Sequence, residues 1–181
     1  AARDPARDLP LDGHHVHLGT DGCGIEVIDP WTGLRRRSTL HDVEEIVRVA
    51  DGLEAIAFHW VAVSAQDRPP ESRALEELAA VWRNSTKHAQ SESIVTAGET
   101  EAAIEMAAAI AGGRAALRRR PVLSLMQCSI SPLAHDGGAV DAALIAAEAG
   151  VPTGFMTMAS CAFSGPATIA ASTVSADSPS A

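Results

Sequence analysis

The chain is poor in rings: aromatic residues make up 3% of its 181 positions, and tyrosine is absent. Ala supplies much of the 46% hydrophobic fraction, so a core of this composition is built from small, close contacts. Cysteine is scarce too. Cys23, Cys128 and Cys161 are an odd number without CxxC spacing, which argues against a disulfide framework and suits a reducing, cytoplasmic compartment. No apolar run approaches the ~20 residues of a membrane span, and the opening AARDPARDLP lacks a signal peptide's apolar stretch. That opening reads as the interior of a longer chain. Basic residues are outnumbered, 14 to 23, giving a net charge of −9. Nucleic-acid backbones are poor partners for such a surface. A solvated acidic surface is the plain reading, and an acidic cleft that attracts a cationic substrate is the sharper one.

What is present is alternation. Residues 1–38 are irregular and polar. His15-Val16-His17-Leu18 and Ile25-Glu26-Val27-Ile28 flank the Gly-rich Thr20–Gly24 turn, a pattern that predicts a β-hairpin with a long loop. Asp29-Pro30-Trp31-Thr32-Gly33 is a second turn. Thr39 is placed to cap a first helix, with Asp42 in its first turn and Leu40, Val43, Ile46, Val47 and Ala50 on one face. A strand over 55–63 follows, then a loop over 64–71 and a helix carrying Leu75, Leu78, Ala79 and Trp82. Residues 87–95 form the next strand, and Thr96-Ala97-Gly98-Glu99 is a capping-box pattern opening a helix that Gly112-Gly113 stops. A strand over 121–128, a helix over 137–149 between Asp136 and Gly150, and a strand over 151–158 complete the series.

Strand starts fall roughly thirty residues apart, the spacing of βαβ units with right-handed crossovers. A doubly wound sheet and part of a (β/α)8 barrel both fit. Four strands are half of a barrel, which typically needs about 250 residues. No GxGxxG follows the first strand, so a dinucleotide-binding sheet lacks support.

In a barrel, chemistry gathers where strands finish. The candidates there are Ser64 and Gln66, Ser91 and Glu92, Gln127, Ser129 and Ser131, and Met158 and Ser160. Glu92 is the ionisable side chain in the middle of a predicted strand, where burial without a partner is costly. It faces either a cationic ligand or a neighbouring Arg or Lys. His15 and His17 share one strand face and offer a metal-hydrolase reading, weighed against a surface hairpin with solvated histidines. Arg35–Arg37 and Arg118–Arg120 read as solvated rims, and Cys128 and Cys161 as small buried residues. The small-residue loop Ser160–Thr168 would let a backbone approach a ligand closely.

Several stretches together resemble the trimethylamine methyltransferase family, including its glycine betaine members that lack pyrrolysine. They are His17-Leu18-Gly19, Asp29-Pro30-Trp31-Thr32-Gly33-Leu34-Arg35-Arg36, Thr39-Leu40-His41-Asp42-Val43, Ser129-Ile130-Ser131-Pro132-Leu133, Ala149-Gly150-Val151-Pro152 and Ser164-Gly165-Pro166-Ala167-Thr168-Ile169-Ala170. The resemblance spans residues 13–171, and the order and spacing of these short motifs carry it. It implies a partial (β/α)8 barrel of about four βα units over 39–171, preceded by a hairpin segment over 1–38. It also implies methyl transfer from a methylated or quaternary amine to a corrinoid, which is not bound by the chain directly but carried by a partner protein docked over the barrel mouth. A quaternary ammonium needs a carboxylate or a ring face in a dry pocket. Glu92 is the implied cation-facing carboxylate, with Gln127, Ser129 and Ser131 as further substrate contacts. Trp60 and Phe155 are ring candidates whose plainer reading is core packing.

Two departures qualify the resemblance. Family members are much longer, and the position of pyrrolysine falls outside this stretch, so the amine is not read. Residues 172–181 read as a disordered tail. The alternatives are a metal-dependent hydrolase using His15 and His17, or an inactive barrel remnant that oligomerises through its open edges. The stretch by itself is expected to have little activity.

Overall fold

The computed structural model describes residues 1–131 and 134–177. A 3-10 turn at Pro5–Arg7 precedes β1 (Leu18–Gly19), β2 (Glu26–Ile28), β3 (Arg35–Arg37), α1 (Leu40–Asp51) and β4 (Ile56–Trp60). There follow α2 (Pro70–Asn84), β5 (His88–Ser91), α3 (Ala97–Ala111), α4 (Arg114–Arg119) and β6 (Leu123–Ile130). β7 (Ala134–His135), α5 (Gly137–Ala149), β8 (Thr153–Met156) and α6 (Ile169–Asp177) complete the order. The helix α6 runs through residues at which the sequence suggests a tail, and 178–181 of that tail lie outside the described residues.

The helix ends follow from local chemistry. Thr39 caps α1 by accepting from the Asp42 N–H, and Asp42 returns the bond to the Thr39 N–H, a reciprocal capping box. Thr96 and Asp136 cap α3 and α5 in the same manner, each side chain accepting from the third residue of its helix. Gly112 and Gly150 end these two helices in the left-handed region, φ 88° and 78°, where a Cβ is strained. The short helix α4 was not anticipated: it begins immediately after Gly113 and converts the Arg118–Arg120 run into a helix end.

Five strands pair in parallel in the order β1-β4-β5-β6-β8, which follows the chain once the separate β2–β3 hairpin and the short antiparallel β7 beside β6 are set aside, and the sheet curls as half of a barrel does. A doubly wound sheet would reverse direction at a switch point. None occurs among the described strands. The helices lie on the convex side. Val43 and Val47 of α1, Leu78 and Val81 of α2, Ile104 and Ala107 of α3 and Ala146 of α5 form the core with Ala89, Leu123 and Leu125 of the sheet. Ala positions let helices and strands approach closely, which is how a chain short of rings closes its core.

The amino-terminal segment differs from expectation. Residues 15–18 do not form a hairpin with 25–28. Leu18–Gly19 is instead the first parallel strand of the sheet, in register with Ile56 and Phe58. The hairpin is β2 with β3, Glu26 opposite Arg37 and Ile28 opposite Arg35, around the Asp29–Gly33 turn. Pairing Leu18 with Ile56 satisfies the backbone groups along that side of β4 and makes the short β1 the terminal strand of the sheet.

Candidate functional site

Alternation along β6 separates two faces. Leu123, Leu125, Gln127 and Ser129 are buried toward the helices, while Ser124, Met126 and Cys128 point to the concave face. His88 and Gln90 of β5 share that face, since Ala89 lies in the core and His88 Nε2 sits 2.9 Å from Ser124 Oγ. Phe58 and Trp60 of β4 stand beside His88 and Gln90 in register, and Gly154 and Met156 of β8 stand beside Met126 and Cys128. A Cβ at Gly154 would come within 3.0 Å of the Met126 sulfur, so glycine there makes room for the side chain.

Glu92 lies one residue past the end of β5, not in the middle of a strand. There it is half-buried at the carboxyl-terminal rim and does not incur the cost of full burial. Its carboxylate receives the Cys23 thiol across 69 residues of sequence, and its charge reaches Cys128 as well. Partial loss of water around the Cys23 sulfur, followed by the adjacent Glu92, pushes that thiol up to about 12. Burial and Glu92 raise the Cys128 thiol also. Both thiols therefore stay protonated near neutral pH, and neither suits a nucleophile.

The rim is braced by contacts that sequence reading missed. Ser38 is fully buried, and its Oγ donates to Ser64 O at 2.6 Å and lies 3.3 Å from Gly24 O. Gln66 N donates to Ser38 O, and Ser64 N to Gly24 O, so three separated segments meet. Glu77, on α2, is 1% exposed and accepts from Ala65 N at 2.6 Å. Burial raises its pKa, with the Ala65 and Ser64 bonds and Arg73 opposing. The signal available in sequence was a Glu among the apolar positions of α2, next to Leu78.

The other candidates separate. Gln127 is fully buried on the helix-facing side, with Nε2 donating 3.0 Å to Ile94 O and Oε1 unpartnered. Ser129 is buried on the same side, opposite His135 of β7. Ser131 Oγ donates to Ser164 O at 2.7 Å, tying the β6 end to the Ser160–Thr168 loop, in which Ala162 has φ 62°. Pro132 and Leu133 of the Ser129–Leu133 motif lie outside the described residues. Phe155 is 42% exposed and stands edge-on to His135, centroids 4.9 Å apart, rather than in the core. Trp60 is half-buried with its Nε1 unpartnered. Cys161 is exposed and Cys128 half-buried, so neither is the fully buried thiol the sequence suggested.

The metal reading finds no support. His15 is held by Asp12, 2.9 Å from Nδ1, and His17 by Pro10 O, also 2.9 Å away; their rings stack 6.2 Å apart. Among the described residues no group of three His, Cys, Asp or Glu is placed to hold a metal ion. The arginine runs are ion-paired in part: Arg35 with Glu26, Arg36 with Asp29 and Asp42, and Arg120 with Asp8. A cleft of about 810 Å³ lies at the opposite end of the sheet between Arg3, Thr86, Ile110 and Arg119. In a barrel that end serves stability, so the rim around Glu92 is the better site. No described helix is long and apolar enough to cross a membrane.

A family model described as trimethylamine methyltransferase (MTTB) matches residues 1–178. A curated trimethylamine methyltransferase MttB of Desulfitobacterium hafniense is 31% identical over 158 residues, covering 87% of this chain and 32% of that protein. A glycine betaine methyltransferase from another strain of that species is 28% identical over 170 residues, covering 93% of this chain and 35% of the relative. The chain thus spans about a third of the length of these curated relatives.

Proposed function

This chain belongs to the trimethylamine methyltransferase family, and on that premise we propose that it forms one wall of a site that removes a methyl group from a methylated amine. The observation that carries the reading is the family match over residues 1–178. The geometry supports it. Glu92 stands at the strand-end rim of the concave face with no Arg or Lys ion-paired to it among the described residues, so its charge is available to an ammonium ligand. Trp60 opens onto the same face, and a ring face adds a second attraction for a quaternary cation. The chain's own work is then to bind the ammonium, fix its direction and keep water from the methyl group that leaves. Of the remaining sequence candidates, Ser131 acts by holding the Ser160–Thr168 loop against the rim. Gln127 and Ser129 act from behind the sheet.

The proposed fold of the whole catalytic unit is a (β/α)8 barrel, of which the curled parallel sheet supplies part. The proposed methyl acceptor is a corrinoid carried by a separate protein that covers the mouth. The proposed compartment is the cytoplasm, in keeping with three unpaired thiols.

Titrating the chain with glycine betaine, trimethylammonium and a neutral tert-butyl isostere should show binding of the cations and rejection of the isostere. Glu92→Gln should weaken cation binding at least tenfold. Equal binding of the isostere, or an unaffected Glu92→Gln variant, would overturn the reading.

A further inference from the structure

We propose that Cys23 is a positioning residue for Glu92: its thiol donates to Oε1 and leaves Oε2 to face the ammonium ligand. The proposal rests on the reading of Glu92 as the cation-facing carboxylate, and adds the group that aims it.

The first support is the rigidity of the loop that carries the thiol. Thr20 N donates to Phe58 O, and the Thr20 side chain bonds the backbone of Trp60 from both sides, its hydroxyl donating to the carbonyl and accepting from the N–H at 3.0 Å. Gly24 N donates to Ala62 O at 3.3 Å. Between them Gly22 has φ +131°, and a Cβ there would lie 2.8 Å from Ala62 O. Residue 23 is therefore fixed on both sides against β4 and its extension, and its sulfur points at Glu92.

The second support is chemical. An Arg or Lys in this place would hold the carboxylate more strongly but would neutralise it. A thiol is a weak donor without charge, so it restrains one oxygen and preserves the attraction for a cation. The groups whose charge or hydrogen bonding bears on the sulfur are Glu92, Ser93 and, at longer range, Glu77. Glu92 and Glu77 are both acidic and favour the protonated, donating thiol, while the Ser93 bond opposes them.

Two measurements on the 181-residue chain test the proposal. In the first, peptide-resolved alkylation by iodoacetamide follows Cys23 from neutral to alkaline pH, in the wild type and in Glu92→Gln. Removing the carboxylate should speed alkylation of Cys23 about threefold to fourfold at a fixed alkaline pH, the effect of a one-unit fall in pKa after allowing for the lower nucleophilicity of the less basic thiolate. An unchanged rate overturns the pairing. In the second, tetramethylammonium is titrated into the wild type, Cys23→Ala and Cys23→Ser. Cys23→Ala should bind about fivefold to tenfold more weakly, from the loss of one hydrogen bond to a charged group. Cys23→Ser, whose hydroxyl still donates, should restore the affinity. Wild-type affinity in Cys23→Ala overturns the positioning role. A wild-type chain that ignores tetramethylammonium overturns the ammonium reading and the ligand half of this proposal, while the alkylation result still decides the pairing.

Discussion

Arg36 grips Asp42 with both arms of its guanidinium, Nη1 and Nη2 each 2.7 Å from a carboxylate oxygen, while Asp42 is also the return half of the α1 capping box. One carboxylate thus joins the β2–β3 hairpin to the start of the first helix. The bidentate bond holds the Asp42 carboxyl far below the usual carboxylate range, with the Thr39 bonds adding to it.

Asp42→Ala should therefore lower stability by about 1–3 kcal/mol through loss of the bonds its carboxylate accepts from Arg36 and the Thr39 N–H, while Thr39 still caps the backbone N–H of residue 42. It should also loosen the hairpin, seen as faster amide exchange at Val27 and Arg36. Arg36→Ala should loosen the hairpin but spare most of the cap. Because the folded pKa of Asp42 is depressed, its contribution is complete above the unfolded value, about pH 4, and disappears as pH falls through the folded one. Urea unfolding of the wild type and Asp42→Ala at neutral and strongly acidic pH measures this: the gap between them should close in acid.

A second pH window belongs to two buried histidines. Burial lowers His59 and His88 to about 4. Both have folded values below the unfolded one of about 6.5, so the unfolded chain binds more protons between those limits. Stability should fall as pH drops through that window, by at most about 1.4 kcal/mol per pH unit for each histidine. Glu77 works in the opposite sense, since its raised pKa favours the folded state as pH falls. Denaturant midpoints taken across the window should show a net decline in the wild type and a shallower one in His59→Gln.

Glu77 gives a test of the rim. Glu77→Gln keeps an oxygen for Ala65 N and should retain most of the stability. Glu77→Ala leaves that buried N–H unsatisfied, which costs about 1–3 kcal/mol before any cavity effect. Equal thermal midpoints for the two variants would show that the Ala65 bond is not what Glu77 supplies.

Gln127 and Glu92 should separate by readout. Gln127 bonds Ile94 O behind the sheet, so Gln127→Ala should lower the thermal midpoint and, at temperatures where it stays folded, bind ammonium ligands within about twofold of the wild type. Glu92→Gln should do the reverse. Calorimetric titration combined with thermal unfolding of both variants distinguishes the two positions, and a Gln127→Ala variant that is stable but no longer binds would contradict the assignment.

The sequence by itself determined α1, α3 and α5 with their ends, the place of α2, and the alternation with strands, but neither α4 nor α6. Thr39, Thr96 and Asp136 cap helices through bonds that span three residues, and Gly112 and Gly150 end them through one backbone angle. Such interactions close within a single turn of chain, so residue type and spacing are enough to reveal them. The family motifs were legible for a similar reason, being short and ordered along the chain.

Only the tertiary structure decided which strand Leu18 joins, which face Gln127 turns to, and what meets Glu92. Period-two alternation states that Gln127 and Cys128 point oppositely but not which of them lies under helices. That is settled by the buried core that Leu123 and Leu125, on the same face as Gln127, form with the helices, and by the Gln127 bond to Ile94 O. Cys23 and Glu92 are brought together only when β1 pairs with β4, and β4 with β5. Contacts of that separation depend on closing long loops, whose entropic cost is repaid by the whole sheet and core, and no local pattern records them.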